Sequence, residues 1–387
     1  MIREAALGLY LIAVRLIFRI CRMLPVQNKT VMLSAFGDNI QQVINKVVDR
    51  TSSRIIVLKE PGCRRNFRNV PERSVIPFSP KRIRNHVVGI YHLATSKVVF
   101  VDSYHVILAS CDFRKETTCI QLWHANGAVK LFGLRDRTIK NRSASAHRRF
   151  RSVYSRFHQV AVSSDAMADI FKSAFGLRDD NMLRTGVPRT DFFHSTDRLQ
   201  AARKKMRSRL PQVEGKQVIL YAPTFRDDDF EVCTLPLDVE SMHASLGDDH
   251  HLLIHLHPAV DFEGFHNTGF ATDVSKGYDI FELLSITDIL ITDYSSIPFE
   301  FSTLKKPMIF YPYDLEQYAR DRGIWFDYPS FVPGPVVQST SGIIDIIKED
   351  TFNREAIEVF DRKWNMYADG SATRRLVESV YYKRMGD

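Results

Sequence analysis

The chain is poor in the residues and motifs that announce most chemistries, and each absence removes a class of function. Cysteine is scarce: Cys21, Cys63, Cys111, Cys119 and Cys233 are odd in number, scattered and without a C-x-x-C pair. That argues against a zinc site and a disulfide framework, and favours a reducing compartment. No G-x-G-x-x-G, Walker A or H-E-x-x-H sequence occurs, so NAD-dependent and nucleotide-hydrolysing readings lose most of their support. No serine or cysteine sits in a recognisable nucleophile elbow, so a covalent intermediate is not suggested. Internal repeats, low-complexity tracts and disordered linkers are also missing. Acidic residues are the minority, 45 against 53 lysines and arginines, a formal charge of +8. Such an excess suits an anionic partner, whether nucleotide, membrane surface or nucleic acid. A basic stripe with interleaved aromatics is lacking, which speaks against nucleic acid.

The N-terminus has no run long enough to span a bilayer. Residues 5–14 are uninterrupted and apolar, but Arg15, Arg19 and Arg22 follow. On a helical wheel the three arginines share one face, with Ala6, Tyr10, Ala13, Ile17, Ile20 and Leu24 opposite. This pattern predicts a basic amphipathic helix lying on an anionic membrane surface, before Pro25 ends it. A helix packed on the protein's own core is the alternative. Residues 1–28 are therefore expected to form a membrane-association segment.

From residue 29 onward strands and helices alternate. Residues 30–35, 55–58, 97–101, 118–122 and 160–163 read as buried strands, with helices over 40–50, 84–94, 143–156 and 165–175. A connector over 178–193 precedes a second series: strands at 217–222, 252–256, 290–292 and 307–311, and helices at 237–245, 278–285 and 297–304. Helices near 340–348, 353–367 and 373–382 finish the chain. The expected fold is α/β of GT-B type: two doubly wound Rossmann-like domains, 29–193 and 194–387, facing a cleft.

Polar residues cluster where those strands end. Thr292, Asp293, Ser295 and Ser296 lie between a strand and a helix with Pro298 in its first turn, a place suited to phosphate. An ordinary helix cap is the alternative. His124 follows a strand and is placed to take a proton from an attacking hydroxyl, although a lone histidine is often structural. Arg226, in YAPTFRDDD, has a fork that matches anionic oxygens; the three aspartates after it read as a solvated turn. In HLHP, alternation puts His255 and His257 on one strand face, with His257 nearer the cleft.

In order along the chain, QLWHANGAVKLFGL, GVPRTDFF, YAPTFRDD, HLHPA, ITDYSSIPFEFS, KKPMIFYPYDLEQY and DRKWNMYADG resemble the CDP-glycerol glycerophosphotransferase family of wall teichoic acid synthesis. The chain is most similar to its priming, TagB or TarB type, members. The resemblance implies transfer of glycerol 3-phosphate from CDP-glycerol to ManNAc-GlcNAc-diphospho-undecaprenol, releasing CMP, at the cytoplasmic face of the membrane as a peripheral, monotopic protein. It implies His124 as the base. His257, Arg226, Ser295 and Ser296 would surround the donor diphosphate, with Thr292 and Asp293 shaping the turn. Membrane contact falls to Arg15, Arg19, Arg22, Ile17 and Ile20. No cofactor or metal site is evident, and a divalent ion is left open. Three alternatives stand beside this reading: a poly(glycerol phosphate) polymerase, a CDP-ribitol-using transferase of the same fold, and a non-catalytic membrane-surface nucleotide-binding protein.

Overall fold

The computed structural model describes residues 2–224, 226, 235–256 and 267–382. The first elements are α1 (Ile2–Cys21), β1 (Gln27–Ser34), α2 (Asp38–Arg50), β2 (Arg54–Lys59), β3 (Val75–Pro77), α3 (Ile83–Ala94) and β4 (Ser96–Val101). They continue with β5 (Thr118–Gln121), α4 (Ala144–Tyr154), β6 (Gln159–Ala161), α5 (Asp165–Phe175) and β7 (Met182–Leu183). All seven strands pair in parallel in the order β3-β2-β1-β4-β5-β6-β7. This is a Rossmann-like sheet. Its central strands are buried over residues 29–34 and 98–101, as their apolar content requires when helices cover both faces.

A second series follows: α6 (Thr196–Arg209), β8 (Gln217–Ala222), α7 (Val239–Leu246), β9 (His250–Ile254), β10 (Ala271–Asp273), α8 (Ile280–Ile286) and β11 (Ile289–Thr292). After it come α9 (Ile297–Phe301), β12 (Met308–Phe310), α10 (Leu315–Asp321), α11 (Tyr328–Phe331), α12 (Thr340–Glu349), α13 (Arg354–Trp364) and α14 (Ala372–Tyr381). The five strands are again parallel, ordered β10-β9-β8-β11-β12. Counted within its own unit, each sheet runs 3-2-1-4-5 before the first adds β6 and β7. In each, the strand order reverses between its first and fourth strands, the crevice where open α/β sheets bind ligands.

Contacts divide the chain into two compact units: Met1–Asn126, Phe132–Asp191 and Met366–Asp387 in one, Gly127–Leu131 and Phe192–Asn365 in the other. This corrects the expected 194–387 domain at its end. Leu376, Val377 and Val380 of α14 are buried with Ile40, Val43, Ile44 and Val47 of α2, and the Asp191 carboxylate accepts the Ala372 and Thr373 N–H groups at the start of α14. The last helix therefore completes the first unit's core. The segment after His124 also changes units. Gly127 lies against Phe299, and a Cβ there would come within 2.1 Å of the ring.

The N-terminal helix departs from the expected arrangement as well. Leu7, Tyr10, Leu11, Val14, Ile17, Phe18 and Cys21, spaced by threes and fours, face the first unit, with Val14 and Phe18 fully buried. Tyr10 Oη lies 3.0 Å from His86 Nε2 on α3, Ser110 Oγ donates to the Leu11 carbonyl, and Phe18 meets Phe113 edge-on. Ile17 thus faces the protein, and residues 1–28 are no separate domain. Leu9, Ile12, Leu16, Ile20 and Met23 remain exposed, flanked by exposed Arg15 and Arg19. Arg22 is paired with Asp112 at 2.6 Å. Among the described residues no helix is long and apolar enough to cross a membrane.

Candidate active site

In the first unit His124 stands three residues beyond β5, next to the switch point. Its Nδ1 lies 3.2 Å from the Asp102 carbonyl oxygen. A carbonyl can only accept, so Nδ1 carries a proton, which in the neutral imidazole leaves the lone pair on Nε2. The imidazole stacks between Phe36, at 4.0 Å between ring centres, and Trp123, at 4.4 Å. Trp123 has φ 56°, a left-handed conformation that costs a non-glycine residue about 1–3 kcal/mol. Its neighbours hold it there. Trp123 N–H donates to Gln121 Oε1 at 2.7 Å, Asn39 Nδ2 donates to the Trp123 carbonyl at 2.9 Å, and Arg189 Nη1 donates to the His124 carbonyl. Asn39 Oδ1 in turn accepts the Arg189 N–H at 2.9 Å. The histidine's orientation is thus set from both sides of the peptide and both faces of the ring.

In the second unit β8 and β11 are hydrogen-bonded neighbours, so their carboxyl ends bring together five of the predicted residues, Thr292, Asp293, Ser295 and Ser296 after β11 and Arg226 after β8. Thr292 is buried and donates to the Ala222 carbonyl, which ties it to the sheet. Asp293 is buried and accepts from Thr224 N–H at 2.7 Å and from its neighbour Tyr294 N–H. Burial lifts its carboxyl above the usual range, against the opposing pull of Arg226 and the Thr224 amide. Ser295 and Ser296 are half-buried; Ser295 Oγ accepts from Ile297 N–H at 3.2 Å, while Ser296 makes no side-chain cap. The helix that follows ends at Phe301 and tightens into a 3-10 turn over Ser302–Leu304.

Arg226 has a more committed position than its sequence suggests. Its Nε and Nη2 form a fork onto Asp314 at 2.8 and 3.0 Å, and Nη2 also reaches Asp293 at 2.9 Å. The guanidinium lies about 5 Å from the rings of Tyr294, Tyr313 and Tyr318. Tyr294 stacks on Tyr318 at 3.8 Å and donates to Asp314. In this arrangement two carboxylates balance its charge, and a phosphate must displace one of them to use the fork. His257 and the aspartates at 227–229 lie outside the described residues. Among those residues no group of three or more His, Cys, Asp or Glu is arranged to hold a metal ion.

Residues 16–382 match the family described as CDP-Glycerol:Poly(glycerophosphate) glycerophosphotransferase. The chain belongs to this family. As a glycerophosphotransferase family member it is a transferase, which removes the non-catalytic alternative. It is 35% identical to the teichoic acid glycerol-phosphate primase of Bacillus subtilis (strain 168), over 92% of each chain. The teichoic acid poly(ribitol-phosphate) polymerase of Bacillus spizizenii is 37% identical over 76% of this chain but only 48% of its own. Among solved structures, the wall teichoic acid polymerase TagF superposes with a TM-score of 0.78 over the whole of both chains, at 23% identity. That likeness concerns the fold, which is GT-B-like in this glycerophosphotransferase as in TagF.

Sequence reasoning missed Asn39, Arg189 and Phe36. Arg189 lay in the GVPRTDFF motif, whose repeated polar residues between glycine and phenylalanine were the available signal. Asn39 and Phe36 carried none, because only the β1–α2 turn brings them beneath residues 123–124.

Proposed function

We propose that this glycerophosphotransferase is a teichoic acid glycerol-phosphate primase. It transfers one glycerol 3-phosphate from CDP-glycerol to a ManNAc-GlcNAc disaccharide linked by diphosphate to undecaprenol. The observation that carries the reading is the end-to-end match to a primase, set against a polymerase that this chain matches over less than half of its length.

In the proposed step the acceptor hydroxyl attacks the β-phosphorus of CDP-glycerol, the bond from that phosphorus to the CMP oxygen breaks, and His124 Nε2 takes the hydroxyl proton. The Nδ1 contact to Asp102 supports this role by keeping the lone pair on Nε2. Ser295, Ser296 and His257 are assigned to the donor diphosphate, with Thr292 and Asp293 shaping the turn. Thr224 Oγ, a buried hydroxyl beside the Asp293 carboxylate, is assigned to a donor oxygen. Arg226 joins them by exchanging a carboxylate for phosphate. The enzyme works at the cytoplasmic membrane surface, held there by the exposed face of α1, because the acceptor's polyprenyl tail stays in the bilayer.

A second reading, a CDP-ribitol donor, is favoured by the 37% identity to a ribitol-phosphate polymerase. One experiment decides both questions. Purified protein is offered CDP-glycerol or CDP-ribitol with a short-tailed disaccharide-diphosphate lipid, and the polyol phosphates added are counted by mass. A single glycerol phosphate is expected. Several units would overturn the primase reading, and turnover of CDP-ribitol alone would overturn the donor.

A further inference from the structure

At the switch point of the first sheet, where a Rossmann domain receives a phosphate at the first βα turn, this chain has placed one of its own carboxylates. Asp102 directly follows β4 and is wholly buried. Its Oδ2 accepts from Ser34 Oγ at 2.8 Å, Phe36 N–H at 3.1 Å and Gly37 N–H at 2.8 Å, and its Oδ1 accepts from Ala35 N–H at 2.8 Å. Three successive amides can converge on one carboxylate because Gly37 has φ 100°. A side chain at Gly37 is barred as well, since a Cβ would come within 2.6 Å of Arg65 Cβ.

Behind Asp102 lies a second buried charge. His105 Nδ1 donates to Glu60 Oε1 at 2.9 Å, and its Nε2 is 3.6 Å from Asp102 Oδ1, an ion-pair distance. Burial alone would drive the imidazole neutral, but the two carboxylates outweigh it and raise its pKa to about 9. Burial would likewise raise Asp102; His105 and the amide donors hold it below the ordinary value. The array is therefore a carboxylate, an imidazolium and a second carboxylate, running from the end of β2 to the end of β4.

Two residues that hold the imidazole of His124 from outside its own loop belong to this assembly. Phe36, whose N–H is bound by the Asp102 carboxylate, stacks on the ring, and the Asp102 carbonyl faces Nδ1. We propose that Asp102 is a positioning residue for His124, with the imidazolium of His105 and the carboxylate of Glu60 fixing it. The carboxylate pins the 34–37 turn so that Phe36 fixes the plane of the His124 ring while the Asp102 carbonyl fixes its tautomer. The same carboxylate closes this turn to phosphate, so the first unit presents a base and not a nucleotide site. This inference rests on His124 acting as the base.

The test uses the full-length protein with 15N-labelled histidine, the His124 resonances being assigned by their loss in His124→Ala. In the wild type, His124 shows the pattern of a single tautomer protonated at Nδ1. Asp102→Asn puts an amide NH2 among the donors of the turn, and His105→Gln removes the charge behind it. In both, the His124 pattern is expected to become a mixture of tautomers. Turnover should fall by about 10- to 100-fold, the scale of a misplacement near 1 Å, while KM for CDP-glycerol stays within about twofold. Phe36→Leu, at an exposed side chain, tests the stack in a variant whose folding is not in question and should shift the same resonances. Folded variants with wild-type His124 resonances and wild-type turnover would overturn the proposal. Failure of the base reading is told apart by His124→Ala: if that variant turns over normally, His124 is not the base, while the nitrogen spectra still report whether Asp102 orients it.

Discussion

The exposed face of α1 can be tested with a magnitude taken from its geometry. Leu9, Ile12, Leu16 and Ile20 are 69%, 56%, 56% and 67% exposed. Full burial of a leucine or isoleucine is worth about 1.5–3 kcal/mol, so each has roughly 1 kcal/mol left to gain at the acyl boundary. Arg15 and Arg19 add about 1 kcal/mol each on anionic lipid. Arg22 adds little, because Asp112 already engages it. Leu16→Ser with Ile20→Ser should therefore weaken partitioning by about 2 kcal/mol, roughly thirtyfold, on neutral and anionic vesicles alike. Arg15→Gln with Arg19→Gln should cause a similar loss on anionic vesicles only, and salt should erase the difference. Sedimentation with vesicles of the two compositions measures both. As a control, Phe18→Ala removes a buried ring facing Phe113 and should cost about 3–5 kcal/mol of stability, since it acts on the core and not on lipid. If the Leu16, Ile20 pair of substitutions sediments like wild type on both vesicle types, α1 is not the membrane contact.

Three further outcomes are expected. Arg226→Ala leaves Asp293 and Asp314 without their counter-charge and should cost about 3–5 kcal/mol in a denaturant melt; an unchanged midpoint would mean that the guanidinium does not hold the turn. Gly127→Ala drives a methyl group into Phe299, which is confined by Phe360 and Trp364, and should cost about 1–3 kcal/mol by the same measurement. His105, raised from 6.5 to about 9, contributes stability that is complete below pH 6.5 and lost as pH rises through 9, so about 2 kcal/mol should disappear between pH 6.5 and 8. His92, lowered to about 4 chiefly by burial, and Lys29, lowered to about 8 by burial, each oppose the loss by about 0.4 kcal/mol within this window, because the unfolded chain binds more protons at both sites there. A stability profile in that window equally steep in His105→Gln would refute the assignment.

Local pattern made much of the fold legible. β1, β8 and β11 are short apolar runs of the kind that strands buried on both faces show, and His124 and Ser295 stand just past such strands. The short strands β3, β7 and β10 were not recovered, because each is two or three residues long and lacks the longer apolar run that marked the equally short β6 and β12. The placement of α14 was hidden for a different reason: an apolar stripe at Leu376, Val377 and Val380 says that the helix covers something, but not which sheet. The same holds for α1, whose wheel has two apolar faces and no local sign of which one meets protein. Arg226 was legible as a charge. Its balance was not, since Asp314 lies 88 residues away.

The two sheets share a device that suggests how labour is divided between the units. Each has an aspartate directly after its fourth strand, Asp102 and Asp293, and each carboxylate reaches back to the turn after the first strand. Asp102 takes three successive amides and a hydroxyl there, so the turn has no capacity left for an anion. Asp293 takes one amide from its turn and is partly neutralised by Arg226, and beyond it Ser295 and Ser296 remain half-buried. An anionic donor entering the first turn would have to displace a fully bonded carboxylate from a buried site, at the cost of stranding that charge. At the second it meets hydroxyls and an arginine whose two carboxylate partners can be exchanged one at a time. That physical difference supports the proposed assignment of the nucleotide to the second unit and of the base to the first.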